Sequence, residues 1–172
     1  MNNLPSTRAS LILSINICAL LLIACGKDGS KQASAATAIQ NVAVLTDPAS
    51  GARCDGNDVN ITRNDFRLLI EGECGNVVIA ASNGTVNISN ARSLRLKGSN
   101  VTVLNEQVGE VLVAGDDNTL NLTATGPMSI DGNRNIVLAR TIEKVAFSGD
   151  NNSVNPDNEP PLTDKGRGNK VL

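Results

Sequence analysis

Histidine, tryptophan and tyrosine are absent from this 172-residue sequence, and phenylalanine occurs only twice. Without imidazole there is no Ser-His or Cys-His catalytic pair, no imidazole general base and no histidine metal site. Aromatic residues at 1% leave almost no platform on which bases or sugar rings could stack. Excess positive charge is also missing. Fifteen Lys and Arg stand against 17 Asp and Glu, a net charge of −2, so there is no electrostatic footprint for nucleic acid. The apolar share of 41% suffices for one folded domain with an aliphatic core.

The N-terminus carries an address. Met1 to Arg8 is polar with one basic side chain, and the chain then turns apolar through SLILSINICALLLIA up to Cys25. An apolar run of about 15 residues is too short and too poorly flanked for a permanent membrane helix. Leu22-Ile23-Ala24-Cys25 resembles the lipobox of bacterial lipoprotein signal peptides, with a small residue before the cysteine and a branched aliphatic three positions before it. The resemblance implies a signal peptide over 1–24, cleavage before Cys25, a diacylglycerol on its sulfur and further acylation such as palmitate. The plainer alternative is a secretory signal with a chance cysteine. Acyl chains stabilise membrane attachment by about 0.8 kcal/mol per buried methylene, and several chains together hold firmly. The expected partner is therefore a membrane, and the expected address the bacterial cell envelope, at the outer membrane, the cell surface or the periplasm. Loss of residues 1–24 removes only Arg8, leaving 14 basic and 17 acidic side chains, a net charge of −3. Residues 25–50, rich in Gly, Ser, Ala and Gln, are expected to form a flexible tether, with a short packed element over Thr37 to Leu45 as the alternative.

Four cysteines are present. Cys18 falls inside the segment to be cleaved and Cys25 is the lipid site, which leaves Cys54 and Cys74. An exported compartment permits disulfides, and one bridge between these two is the most economical reading. A loop of that size would be stabilised by about 3 kcal/mol. A reactive thiol pair or a pair of metal ligands are the rivals, and neither has supporting histidines or a C-x-x-C spacing.

The middle of the chain repeats. Gly98, Gly115, Gly132 and Gly149 are each 17 residues apart. In that register Val86, Val103, Leu120, Val137 and Val154 form one apolar column. Val77, Leu94, Val111, Met128 and Val145 form a second. Ile79, Leu96, Val113, Ile130 and Phe147 form a third. A weaker fourth holds Ile88, Leu122 and Ala139, broken by Asn105. Val59 and Ile61 extend the second and third columns upstream after a shift of one residue. Apolar residues in i, i+2 pairs mark strands with one buried face. Two pairs in each unit imply two short strands, joined by Gly/Asn/Asp turns in which positive φ is easily reached. Seventeen residues at strand rise close a coil of about 56 Å perimeter, and coils stack about 4.8 Å apart. The expected fold is all-β: a parallel β-solenoid of about six coils over 51–155, right-handed as parallel crossovers usually are, followed by a disordered tail over 156–172. An antiparallel meander is the alternative, but it does not explain why columns repeat every second strand.

Two polar patterns share the same period. Asn118, Asn135 and Asn152 share a turn position, with Asn83 and Asn100 one place earlier. They read as an asparagine ladder satisfying turn backbone. A calcium or ligand site helped by Asp116, Asp117, Asp131 and Asp150 is the less favoured reading. On the strands, Thr85, Thr102 and Thr119, with Asn87 and Asn121 two places on, alternate with the buried valines and form an outward polar stripe. The stripe suits contact with carbohydrate or ice, although Leu104 and Ile136 interrupt it. Solvated residues of high strand propensity are the blander account.

Cys54-Asp55-Gly56, then Leu68-Leu69-Ile70-Glu71-Gly72-Glu73-Cys74, then repeated G-x-x-N-x-V segments resemble a family of exported bacterial lipoproteins of unknown function. The resemblance runs from Cys54 to Val154 and implies a solenoid in the cell envelope, with no catalytic residues to transfer. The sequence is thus read as a lipid-anchored, non-enzymatic envelope protein without cofactor or metal. Its expected role is structural, adhesive or glycan-contacting, with envelope glycan or another envelope protein as partner. The alternative is a polysaccharide lyase or hydrolase on a small β-helix. It is disfavoured because turns of three or four residues supply no long loop to wall a cleft.

Overall fold

The computed structural model describes residues 42–172. The expected signal peptide, Cys18, the lipidation site Cys25 and the tether up to residue 41 lie outside the described residues. The described chain is an all-β parallel solenoid of about eight coils. Its strands are β1 (Val44–Thr46), β2 (Ala52–Arg53), β3 (Asp58–Ile61), β4 (Arg67–Ile79), β5 (Gly84–Leu96), β6 (Val101–Val113), β7 (Thr119–Ile130), β8 (Ile136–Phe147), β9 (Ser153–Pro156), β10 (Leu162–Asp164) and β11 (Lys170–Val171). All pair in parallel, each with its counterpart one coil away, in a single 11-stranded sheet.

The 17-residue register is the hydrogen-bonding register. Val86 faces Val103, Val103 faces Leu120, and Leu120 faces Val137. All four expected columns lie in the core, including Asn105, which is buried and donates its amide to the Ile88 carbonyl at 3.1 Å. A fifth inward column, Cys74, Ala91, Val108, Thr125 and Ile142, leaves no mark in the periodicity. On either side of Val108 two consecutive residues point outward, Glu106 with Gln107 and Gly109 with Glu110, so no i, i+2 partner marks it. The same doublets correct the expectation of two short strands. Each central coil is one strand of 12 or 13 residues bent at the doublets, giving three inward-facing segments.

The shift of one residue upstream has a single cause. Ile70 pairs with Ile88 at a spacing of 18, but Glu73 pairs with Asn90 at 17, so one extra residue sits between them. Gly72, at φ +83°, supplies the bulge, in a conformation an L side chain resists.

Both ends of the winding go further than expected. Within the expected tether, β1 pairs with β3. The stretch expected as a disordered tail carries β10, paired with β8, and β11, paired with β9. There Gly166, Asn169 and Val171 repeat Gly149, Asn152 and Val154 at intervals of 17, while the prolines and charges of 156–170 mask the apolar pattern. Cys54 and Cys74 are joined by a disulfide that ties the first coil to the second, as expected. Asp47 closes the N-terminal end: its carboxylate accepts the Thr62 hydroxyl at 2.6 Å and the Thr62 backbone N–H at 2.7 Å. At the other end Asp164 occupies the column position next to Phe147, where its carboxylate accepts the Gly166 N–H and the Asn169 amide, each at 2.9 Å. An inward carboxylate and flanking prolines blunt the last edge against further pairing.

Candidate functional site

The C-terminal coils turn this corner at a Gly-x-x-Asn sequence, such as Gly115-Asp116-Asp117-Asn118, where the two coils before them read Gly98-Ser99-Asn100-Val101 and Ala81-Ser82-Asn83-Gly84. The glycine column owes its identity to contact, not to φ. A Cβ at Gly115 would lie 1.9 Å from the Gly98 carbonyl oxygen, and a Cβ at Gly132 the same distance from that of Gly115. Positive φ falls two residues later, on Asn83, Asn100, Asp117, Arg134 and Asn151, all between +56° and +58°. Within the expected Gly/Asn/Asp turns, positive φ thus falls mostly on asparagine and aspartate rather than on the column glycines.

The asparagines behave as a ladder. Asn118, Asn135 and Asn152 are buried, and each Oδ1 accepts a backbone N–H from the coil before: those of Val101, Asn118 and Asn135, at 2.8–2.9 Å. Each Nδ2 donates to a corner carbonyl, that of Gly98, Gly115 or Gly132, at 2.9–3.0 Å. Asn169, not singled out in the sequence, adds a fourth rung through Asn152 and Gly149. A second ladder runs beside it, where Ser82, Ser99, Asp116, Asn133 and Asp150 each accept the backbone N–H one coil on, with distances of 2.7–3.1 Å.

Three of the four aspartates that suggested calcium are therefore occupied within the fold. Asp116 and Asp150 serve the second ladder, and Asp117 takes a two-pronged contact from Arg134 at 2.7 Å for each nitrogen. The guanidinium holds the Asp117 carboxyl below its usual range, and the carboxylate raises Arg134 in return. The fourth, Asp131, is exposed. No group of three or more Cys, Asp or Glu side chains among the described residues is placed to hold a metal ion.

The expected stripe lies on the outer side of the first segment of each coil. Thr85, Thr102 and Thr119 are in register and half-buried; Asn87 and Asn121 are exposed. The row through the threonines reads Arg67, Thr85, Thr102, Thr119, Ile136, Ser153 and Lys170. Beside it runs Leu69, Asn87, Leu104, Asn121, Leu138 and Asn155, and Leu172 lies 17 residues beyond Asn155. Leu104 and Ile136 are thus not isolated interruptions. The second row alternates leucine and asparagine coil by coil. Its period is two coils, which a search at 17 residues averages away.

Among the described residues this face gathers most of the exposed large apolar side chains. Of the eight exposed large hydrophobics among the described residues, Leu69, Leu104, Ile136, Leu138 and Leu172 fall on it, and the others lie at the two ends of the winding. Between Arg67 and Lys170 neither row holds a charged side chain, whereas the neighbouring surface carries Arg92, Glu106, Glu110, Arg140, Glu143 and Lys144. Exposed apolar side chains gathered on one uncharged face make it the candidate interaction surface. The hollows at the ends are modest: about 500 Å³ lined by Pro156, Asp157, Asn158, Glu159 and Leu162, and about 240 Å³ beside Asp47, Arg63, Phe66 and Arg67.

A family model described as a protein of unknown function (DUF3060) matches residues 113–168, the C-terminal coils from the end of β6 onward. The Cys54-Asp55-Gly56 and Cys74 motifs lie outside the matched stretch. No curated protein and no solved structure matches the chain.

Proposed function

We propose that this chain is a lipid-anchored protein of the bacterial cell envelope that acts through its surface, in a structural or adhesive role, rather than by catalysis. The observation that carries the surface role is the uncharged face, where five exposed aliphatic side chains share two rows with threonine and asparagine. The envelope address rests on the Leu22-Ile23-Ala24-Cys25 box. The described polar groups support the same reading, because the corner carboxylates and amides are spent on backbone and on one another, leaving few free to act on a substrate. Contact with envelope glycan is the second form of the reading, favoured by the unbroken hydroxyl row of Thr85, Thr102 and Thr119.

The address is tested by fractionating cells that express the chain and its Cys25→Ser variant, with mass spectrometry of the N-terminal peptide. The expected result is an acylated, membrane-bound wild type and an unacylated variant released from the membrane. Acylation surviving in Cys25→Ser, or an unmodified wild type, would overturn the anchor. For the surface role, retention of the purified chain on envelope polysaccharide or on envelope protein should fall when Leu104 and Leu138 become lysine. Retention unchanged by those substitutions would remove the face from the account.

A further inference from the structure

Independently of the surface role, we infer that one water molecule is built into the core at the bend between the first two segments of the central coils. It bridges Asn105 Oδ1 and Thr125 Oγ1.

Among the described residues, these two oxygens are the buried side-chain polar atoms that find no hydrogen-bond partner in the protein, and they do not bond to each other. A polar atom shut away from solvent without a partner is costly, and native cores rarely keep one. Both lie at the same place. Asn105 is the last inward residue of the first segment in β6, and Thr125 is the inward residue just past the bend in β7, one coil on. The register sets Asn105 beside Leu122 and Val108 beside Thr125, so the two polar side chains stand at diagonal positions of one four-residue corner. Asn105 Nδ2 donates to the Ile88 carbonyl in the coil before. A carboxamide carries its oxygen on the other side of Cγ from its nitrogen, which leaves Oδ1 toward the coil of Leu122 and Thr125.

The corner is also the loosest part of the central core. Ala91 pairs with Val108 from the coil before and Ala139 with Leu122 from the coil after, so a short side chain flanks the polar pair on either side. Ala91, Asn105, Thr125 and Ala139 keep 6–8% of their surface exposed, whereas Val103, Val113 and Ile130 keep none. The chemistry selects the occupant. The rest of the corner is aliphatic and carries no charge, so an ion would be buried unpaired. A small neutral molecule that both donates and accepts is required. Water donates to the amide oxygen and exchanges a second hydrogen bond with the hydroxyl, as buried waters do between groups otherwise left unpaired.

The test combines thermal melts with magnetic resonance on the full chain. Thr125→Val is nearly isosteric and removes little but the hydroxyl. With a bridging water it should lower the melting midpoint by a few degrees, because the water loses a partner; a hydroxyl that was merely unpaired would raise the midpoint when removed. Asn105→Leu places in this column the residue type that Leu122 already supplies one coil on. In that background Thr125→Val should no longer lower the midpoint. For the water itself, cross-relaxation from solvent to labelled valine and leucine methyl groups should show a long-lived contact at Val108 and Leu122 and none at Val103 or Val113. The contact should vanish in Asn105→Leu, which keeps the Thr125 hydroxyl and so separates bound water from hydroxyl exchange. A midpoint raised by Thr125→Val, an equal loss in both backgrounds, no contact at Val108 and Leu122, or a contact that survives Asn105→Leu overturns the inference. Should Asn105→Leu fail to fold, the wild-type contact and the Thr125→Val midpoint decide it.

Discussion

One inward corner column is filled in two different ways along its length. In the N-terminal half it holds Phe66, Gly84 and Val101, closed by the phenyl ring; in the C-terminal half it holds Asn118, Asn135, Asn152 and Asn169, closed by amides. The amide half is a true repeat. Each rung satisfies one N–H and one carbonyl of its neighbours, so a further rung can be added without changing the last. The phenyl half is a plug. The ring sits so close to Gly84 that a Cβ there would come within 2.3 Å of it, so the plug admits one partner and does not propagate. The same half carries the bulge at Gly72, the Cys54–Cys74 bridge and the Asp47 clasp. Where repetition holds the coils, side-chain ladders suffice; where the winding begins, a covalent link and a clasp hold it.

The sharpest way to break this comparison is at the glycines. Gly115→Ala drives a methyl group into the Gly98 backbone, with a coil on either side and no flexible atom to yield. It should cost about 3 kcal/mol or more in a denaturant melt. Gly84→Ala meets the Phe66 ring, a side chain, and should be largely rescued by adding Phe66→Leu. No second substitution should rescue Gly115→Ala. Equal rescue at both sites would mean the two halves are not built differently.

Asn135→Ala comes next. It leaves the Asn118 N–H and the Gly115 carbonyl buried without their partners and should cost about 2–4 kcal/mol by the same melt. Val101 occupies the equivalent position one half earlier and is buried there as a hydrocarbon, so Val101→Ala should cost only its lost packing, about 1–3 kcal/mol.

Replacing both Cys54 and Cys74 by serine should lower stability by about 3 kcal/mol. The loss should be local. Hydrogen exchange should quicken in β1 to β4 and leave β7 and β8 protected, since those coils are held by the ladders. Uniform loss of protection would show the bridge stabilising the whole winding.

The smallest effect concerns acid. The Thr62 hydroxyl and N–H, with the Arg63 N–H, hold the Asp47 carboxyl below its usual value. A carboxyl lowered on folding contributes stability above its unfolded pKa, about 3.9, and that contribution disappears as pH falls through the lower folded value. The N-terminal coil should therefore open before the ladder coils as pH drops below about 4. Asp47→Asn should remove that acid dependence, measured by exchange at Asp58 to Ile61 between neutral and acid pH.

Much of the fold is legible in the letters, for a physical reason. Stacked coils place equivalent residues in contact, so core columns such as Val86 to Val154 appear directly as a period of 17. Three features escape for equally physical reasons. The column through Val108 is flanked by outward doublets, which erase alternation. The last coil hides its apolar signal behind Pro160, Pro161 and Lys165, leaving only the intervals of Gly166 and Asn169. The leucine–asparagine alternation needs a period of two coils. The candidate face is therefore half visible in the sequence: its threonine row stands out, and its leucines look like interruptions.

One register underlies all of these features, and a single pair of residues tests it. Val113 and Leu112 are adjacent aliphatics in β6, but Val113 is fully buried between Leu96 and Ile130, while Leu112 points outward and is half-buried. Thermal melts of Val113→Asp and Leu112→Asp measure the difference directly. Burying an unpaired carboxylate at Val113 should cost several kcal/mol, roughly 3 or more, while Leu112→Asp should cost less than about 1 kcal/mol. Equal losses at the two positions would contradict the register, and with it the columns, the ladders and the face.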